Sequence, residues 1–170
     1  MKSELKAKFL QHILNKKKDE SGFTLIELLV VIIIIGILSA IALPSFLNQA
    51  AKAKQTEAKS YVGAVNRAQQ AHRIENTTFA SNLTVLEIGT PTETVNYKYE
   101  IKNATDESTL FEAATKDAKS LKSFAGGVVI LTTGQTSAAA CQTTGVGATP
   151  PTVALAPANP AACSSGEVMK

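Results

Sequence analysis

The sequence predicts an α+β protein in which one long N-terminal helix lies across an antiparallel sheet. Three patterns carry that expectation. Residues 23–43 form an almost unbroken apolar run, and residues 45–75 keep a helical spacing of apolar side chains beyond Pro44. Later, VNYKYEIKN (residues 95–103) alternates apolar and polar side chains as a half-buried strand does.

The 170 residues leave room for one ordinary domain, or for a smaller domain plus a long helix. The formal charge of +3 is concentrated in residues 1–22, where six lysines face three acidic residues. From residue 23 onward, 11 basic and 11 acidic residues balance. A neutral body has no long-range field for a polyanion, so the composition predicts no direct nucleic-acid site.

Residues 23–43 span about 31 Å as a helix, close to the ~30 Å hydrocarbon core of a bilayer. Lipid offers the backbone no hydrogen bonds, so a helix is the only single-segment solution there. The lysine-rich residues 1–22 are expected on the cytoplasmic side and the C-terminal part outside. One carboxylate interrupts the run, Glu27. A charge inside a membrane-spanning helix costs about 2.5–3.5 kcal/mol at the centre and less near an end, and marks a functional site whose partner must be named.

Three readings of this segment compete. It is a permanent anchor for an external domain, or a secretory signal peptide with Ala40-Ile41-Ala42 as an A-x-A cleavage site. Against the second stand the length of the run, its internal charge and Pro44 close behind the site. The third reading rests on ESGFTLIE and its surroundings. Gly22, Phe23, Thr24, Leu25, Ile26 and Glu27, with basic residues before them and the apolar run and Pro44 after, resemble the processing site of type IV prepilins.

That resemblance is close over residues 20–80 and general beyond. It implies a leader, residues 1–22, removed by a membrane prepilin peptidase that cuts after Gly22 and methylates the new amino terminus of Phe23. It implies that Glu27 pairs with the Phe23 amine of a neighbouring subunit during assembly. An unpaired carboxylate in an apolar bundle favours its protonated form, and a buried pair guides register more than it adds stability. The implied fold is the type IV pilin fold: a long helix with an apolar half (23–43) and an amphipathic half (44–75), then a β-sheet head (76–170) with a disulfide-bridged C-terminal loop (141–163). The implied function is structural. The chain waits in the inner membrane with its head periplasmic, then enters a helical, homo-oligomeric cell-surface fibre through an assembly platform driven by cytoplasmic ATPases. Adhesion, surface motility and DNA uptake are the processes such fibres serve. The lysine-rich leader and TEAKSYVGAVNRAQQA look most like cyanobacterial-type major pilins. A type II secretion pseudopilin shares the same N-terminus, and a membrane-anchored extracellular binding module is the alternative outside the family.

Pro44 lacks an N–H and is expected to kink or open the helix. Beyond it Leu47, Ala51, Ala58, Tyr61, Val65 and Ala68 fall on one stripe, with Lys52, Lys59, Asn66 and Arg67 mostly elsewhere. A single helix from Phe23 to about Glu75 is roughly 80 Å long, and Asn76-Thr77-Thr78 is its expected stop. Residues 76–94 read as a polar connection. In the strand pattern Val95, Tyr97, Tyr99 and Ile101 share a face. TLFEAAT and FAGGVVILTT read as two more strands, Gly126-Gly127 marking a bulge or a close backbone approach.

Residues 123–166 contain no charged side chain and four of the six prolines, and read as loop. Cys141 and Cys163 lie beyond the apolar segment. If that segment crosses a membrane they face an oxidising compartment, where an even pair suggests one disulfide; in the cytosol they are two free thiols.

No catalytic constellation, phosphate loop, cofactor motif or zinc spacing is visible, so no enzyme, metal or cofactor is expected. His72 reads as a surface or interface residue. Asp106-Glu107 reads as a solvated turn in preference to a weak Ca²⁺ site, since no ladder of oxygen ligands accompanies it. Three N-x-S/T triplets, at Asn76, Asn82 and Asn103, are weak modification signals.

Overall fold

The structure, a computed structural model, describes residues 7–11 and 23–169. Gly22, with residues 1–6 and 12–21, lies outside the described residues. The chain divides into two compact units, Met1–Phe46 and Leu47–Lys170.

One helix, α1 (Leu25–Glu75), runs without interruption through Pro44. In the first unit its side chains bury nothing against the chain itself. Leu25, Ile26, Ile32, Ile37, Leu38 and Ile41 are all more than half exposed, a state water does not tolerate over such a length.

In the second unit the sheet runs in the order β1 (Tyr97–Ala104), β2 (Ser108–Thr115), β3 (Phe124–Ile130), β4 (Thr136–Gln142) and β7 (Glu167–Val168), every pairing antiparallel. A separate pair, β5 (Val153–Ala154) and β6 (Ala162–Cys163), forms a small hairpin. Three of these strands, β1, β2 and β3, fall in the three stretches that read as strands in the sequence. β4 does not: it falls inside the stretch that reads as loop. TSAAACQ carries no contrast between its faces, and its seven register pairs with β3 recruit it regardless of weak strand propensity.

The core lies between α1 and one face of the sheet. Ala58, Val62 and Val65 meet Tyr97, Tyr99, Phe111, Ala113 and Phe124, all at most 2% exposed. Tyr99 stacks parallel to Phe111 with centroids 6.1 Å apart, and Tyr61 meets Tyr99 edge-on at 5.1 Å, both favoured aromatic geometries. Two members of the expected stripes stand outside: Leu47 is 58% and Val95 89% exposed. Leu47 opens the unit before the sheet begins to cover the helix, and Val95 precedes the first residue of β1. The connection 76–94 is less polar in effect than in composition, since Phe79, Ala80, Leu83 and Leu86 are buried.

Gly126 and Gly127 keep regular register with both neighbouring strands, so they serve close approach and not a bulge. A β-carbon on Gly126 would lie 2.6 Å from Asn66 Oδ1, and one on Gly127 2.9 Å from Leu155 Cδ2. Adjacent strand residues point to opposite faces. The helix therefore packs on one face of the sheet and the C-terminal segment on the other. A shift in register falls in β1, between Ile101 and Asn103.

Candidate functional site

The site begins where α1 begins. Phe23 and Thr24 are not helical, and Thr24 stands at the N-cap position with Glu27 three residues on. The first turns of a helix leave backbone N–H groups without partners. Here Glu27 Oε2 accepts a hydrogen bond from the Thr24 N–H at 2.7 Å and a second from the Thr24 hydroxyl at 2.7 Å. The Thr24 hydroxyl oxygen accepts in return from the Glu27 N–H at 3.3 Å. This is a capping box, with a carboxylate at the positive end of the helix dipole. The T-x-x-E spacing in TLIE is its sequence signal, one that the isolation of Glu27 in hydrocarbon overshadows.

The cap changes what Glu27 can do. Both contacts fall on Oε2, and among the described residues no hydrogen bond reaches Oε1. The carboxylate is thus held in one rotamer by its own turn while keeping an oxygen open to a further donor. Phe23, Ile26, Val30 and Val31 frame it in a shallow hollow of about 390 Å³. A cation entering that hollow meets one carboxylate oxygen and otherwise hydrocarbon, a setting in which electrostatic attraction is strong.

The second predicted site is in the head. Cys141 and Cys163 form a disulfide with a Cα–Cα separation of 5.7 Å, joining β4 to β6 across 22 positions. The bridge ties the tail to the sheet together with the Met169 N–H donated to the Ala140 carbonyl and the Ala161 N–H donated to Ser137 Oγ. Pro44 lies within α1 and His72 near its end, where His72 Nδ1 is 3.2 Å from the Thr78 carbonyl. Among the described residues no three His, Cys, Asp or Glu side chains converge as metal ligands. Asp106 and Glu107 supply backbone carbonyls to Arg73 Nε and the Ile130 N–H, as turn residues do.

Some polar groups that fix the head look like surface residues in the sequence. Asn66, on the polar side of the expected stripe, is 7% exposed and donates its amide to the Ala139 carbonyl at 2.9 Å. Only a glycine at 126 leaves it room. Glu57 receives Asn96 Nδ2 at 3.2 Å and the Tyr99 hydroxyl at 3.2 Å. Burial pushes the Glu57 carboxyl up, but hydrogen bonds from Thr94, Asn96 and Tyr99 outweigh it and leave the group below the usual carboxylate range. Burial pushes the Tyr97 and Tyr99 hydroxyls up.

Comparison with known proteins gives these features a context. The family model described as type IV pilin-like G and H matches residues 55–164, and the prokaryotic N-terminal methylation motif matches residues 17–43. The type IV major pilin protein PilA of Myxococcus xanthus is 40% identical over 94 residues, 55% of this chain and 42% of that one. The type IV wide pilus major component PilA4 of Thermus thermophilus is 34% identical over 92 residues, 54% of this chain and 70% of that one. The type II secretion system core protein G of Pseudomonas aeruginosa is 36% identical over 72 residues, 42% of this chain and 51% of that one. The chain thus spans about half the length of the first relatives it matches. No solved structure matches it significantly.

Proposed function

The chain belongs to the type IV pilin family, and from that premise we propose that it is the structural subunit of a type IV pilus. The observation that carries the proposal is the uncovered apolar half of α1, which starts at a self-capped carboxylate with one oxygen open. Such a surface needs lipid before assembly and other copies of itself afterwards. In this reading residues 1–22 are a cytoplasmic leader, and prepilin peptidase cuts after Gly22. Phe23 becomes the methylated amino terminus. The precursor stands in the inner membrane with its head periplasmic, and the assembly platform with its ATPases lifts it into the fibre. There the Phe23 amine of an incoming copy meets the open oxygen of Glu27 on its neighbour, setting register. Residues 23–43 form the fibre core, and the head with its bridged tail (141–163) coats the outside.

Mass spectrometry of the mature chain tests the first half of this reading. A methylated start at Phe23 supports it, whereas a start at Leu43 or an intact Met1 sinks it. Shearing tests the second half: a pilus subunit dominates the filament fraction released from cells. The similarity to secretion core protein G favours one other reading, a pseudopilin, for which the sheared fraction lacks the chain while secretion depends on it.

A further inference from the structure

A hollow of about 270 Å³ lies between the last turns of α1 and the connection 76–94, lined by Ala68, Ala71, His72, Glu75 and residues 85–88. Its carboxylates, Glu75 and Glu87, pair with no cation among the described residues. Neither acid is what its own position favours. Glu75 is the last residue of α1, where the helix dipole is negative and a cation is preferred. Glu87 sits at a φ of 52°, in the left-handed region that suits glycine. Val85, Ile88 and, next to Glu75, Ile74 are exposed. The hollow is thus electronegative within an apolar surround.

A surface of matching charge stands on the same helix. Arg67 is exposed and makes no ion pair or hydrogen bond among the described residues. Arg73, by contrast, donates to the Asp106 and Asn76 carbonyls. A β-carbon added at Gly63 would lie 3.7 and 3.8 Å from the two terminal guanidinium nitrogens of Arg67. The side chain therefore folds back over the preceding turn, away from the hollow of its own chain, whose helical lining starts at Ala68. Ser60, Gly63 and Ala64, helical neighbours of Arg67, are small, so another surface can approach closely. Resting on the reading of this chain as a fibre subunit, we propose that Arg67 of one copy enters the Glu75–Glu87 hollow of the next copy. The forked guanidinium reaches two carboxylates at once, which a lysine does not, and its stem lies on Val85 and Ile88. Each copy offers its Arg67 to one neighbour and its hollow to another, so the contact is heterologous and repeats along a fibre.

The test is charge reversal of the full chain in cells, read as sheared filament yield against membrane-fraction abundance. One strain carries Arg67→Glu, and another carries Glu75→Lys together with Glu87→Lys. Each alone is expected to give at least about tenfold less filament than the parent, because like charges then face each other across the contact. Expressed together, the two variants are expected to recover most of the parent's yield and to enter the filaments side by side. Only a contact between copies gives that rescue, since each variant keeps like charges within its own chain. Glu87→Gly separates assembly from folding: it relieves the left-handed backbone and is expected to unfold no earlier than the parent, yet to lower filament yield. Unchanged yield in both reversed strains overturns the proposal while leaving the pilus reading intact. Loss in each strain without rescue in the mixture, with all variants folded, also overturns it and assigns these charges to one chain or to a different partner. If the parent itself is absent from sheared filaments, the fibre reading falls, and this proposal with it.

Discussion

Gln69 and Ala80 form a reciprocal pair: Gln69 Nε2 donates to the Ala80 carbonyl at 2.8 Å, and Gln69 Oε1 accepts the Ala80 N–H at 2.9 Å. A side-chain amide here takes the part of a neighbouring strand. The pair pins the start of the 76–94 connection to α1, in a place where Gln69 is 1% and Ala80 2% exposed. Gln69→Leu keeps the bulk but strands a buried donor and a buried acceptor, each costing about 1–3 kcal/mol. The expected loss is at least about 2 kcal/mol by denaturant unfolding of the mature chain in detergent. Gln69→Glu separates the two bonds: it retains the acceptor, so the Ala80 amide stays protected from exchange while stability still falls. Unchanged stability in Gln69→Leu would falsify the pinning role.

Glu57 ties α1 to β1 through Asn96 and the Tyr99 hydroxyl, and its folded carboxyl lies below the ordinary value of about 4.3. A depressed value means that the folded state holds the anion more tightly than the unfolded chain does. The stabilisation is complete above the unfolded value and drains away as pH falls through the lower folded one. Glu57→Gln is therefore expected to be less stable than the parent at pH 7, with the gap closing as pH falls below the unfolded carboxylate value and through the lower folded one. Asp117, Glu93 and Glu100 are also lowered, so the parent's own acid sensitivity is broader than Glu57 alone produces. The difference between the two unfolding curves against pH is the decisive quantity, and a pH-independent gap would remove Glu57's charge from the account.

The Cys141–Cys163 bridge spans 22 positions, for which the chain-entropy model gives about 3 kcal/mol. The bond joins the end of β4 to a tail whose own pairings are only two residues long. Reduction is expected to free β5, β6 and β7 before the α1–sheet core opens. Hydrogen exchange on the reduced mature chain checks this: amides 153–168 lose protection while those of β1 and β2 keep theirs. Uniform loss across both regions would show that the tail is integral to the core. In the fibre, Cys141→Ser is expected to lower resistance to shear, and normal shear-resistant filaments would remove the structural role.

Much of this architecture is legible in the sequence because water and lipid impose strong periodicities. The apolar run, the alternation at Tyr97, Tyr99 and Ile101, and the glycine pair each record a two-sided environment. β4 is illegible because Thr136–Gln142 presents small residues to both faces. Asn66 and Gln69 are illegible because a buried polar side chain looks like a surface one until its partner is known, and their partners, Ala139 and Ala80, are backbone groups. At the N-terminus Glu27 stands out by its isolation in hydrocarbon, whereas Thr24 does not, because its value lies in spacing and not in polarity. The cyanobacterial likeness of the leader and of TEAKSYVGAVNRAQQA is a reading of the sequence alone; the three relatives described above come from Myxococcus, Pseudomonas and Thermus.

Thr24 and Glu27 make the last prediction, which rests on the proposed pilus function. The capping box gives Glu27 a local partner before any neighbour arrives, so the carboxylate enters the membrane already hydrogen-bonded. Removing either half therefore has separable effects. Glu27→Leu loses the cap and the open oxygen together; it is expected to insert normally and to be cleaved, but to give few filaments. Thr24→Ala keeps the open carboxylate but loses the hydroxyl contacts, at about 1 kcal/mol for an N-cap. It is expected to assemble, with reduced yield, because the Thr24 N–H alone then holds Glu27 in its rotamer. Glu27→Gln retains an acceptor oxygen without the charge, and its filament yield should fall below that of Thr24→Ala if the neighbour's group is a cation. The three variants are compared by sheared filament yield against membrane-fraction abundance. If Glu27→Leu assembles as well as the parent, the carboxylate is a helix cap and nothing more, and the register role falls with it.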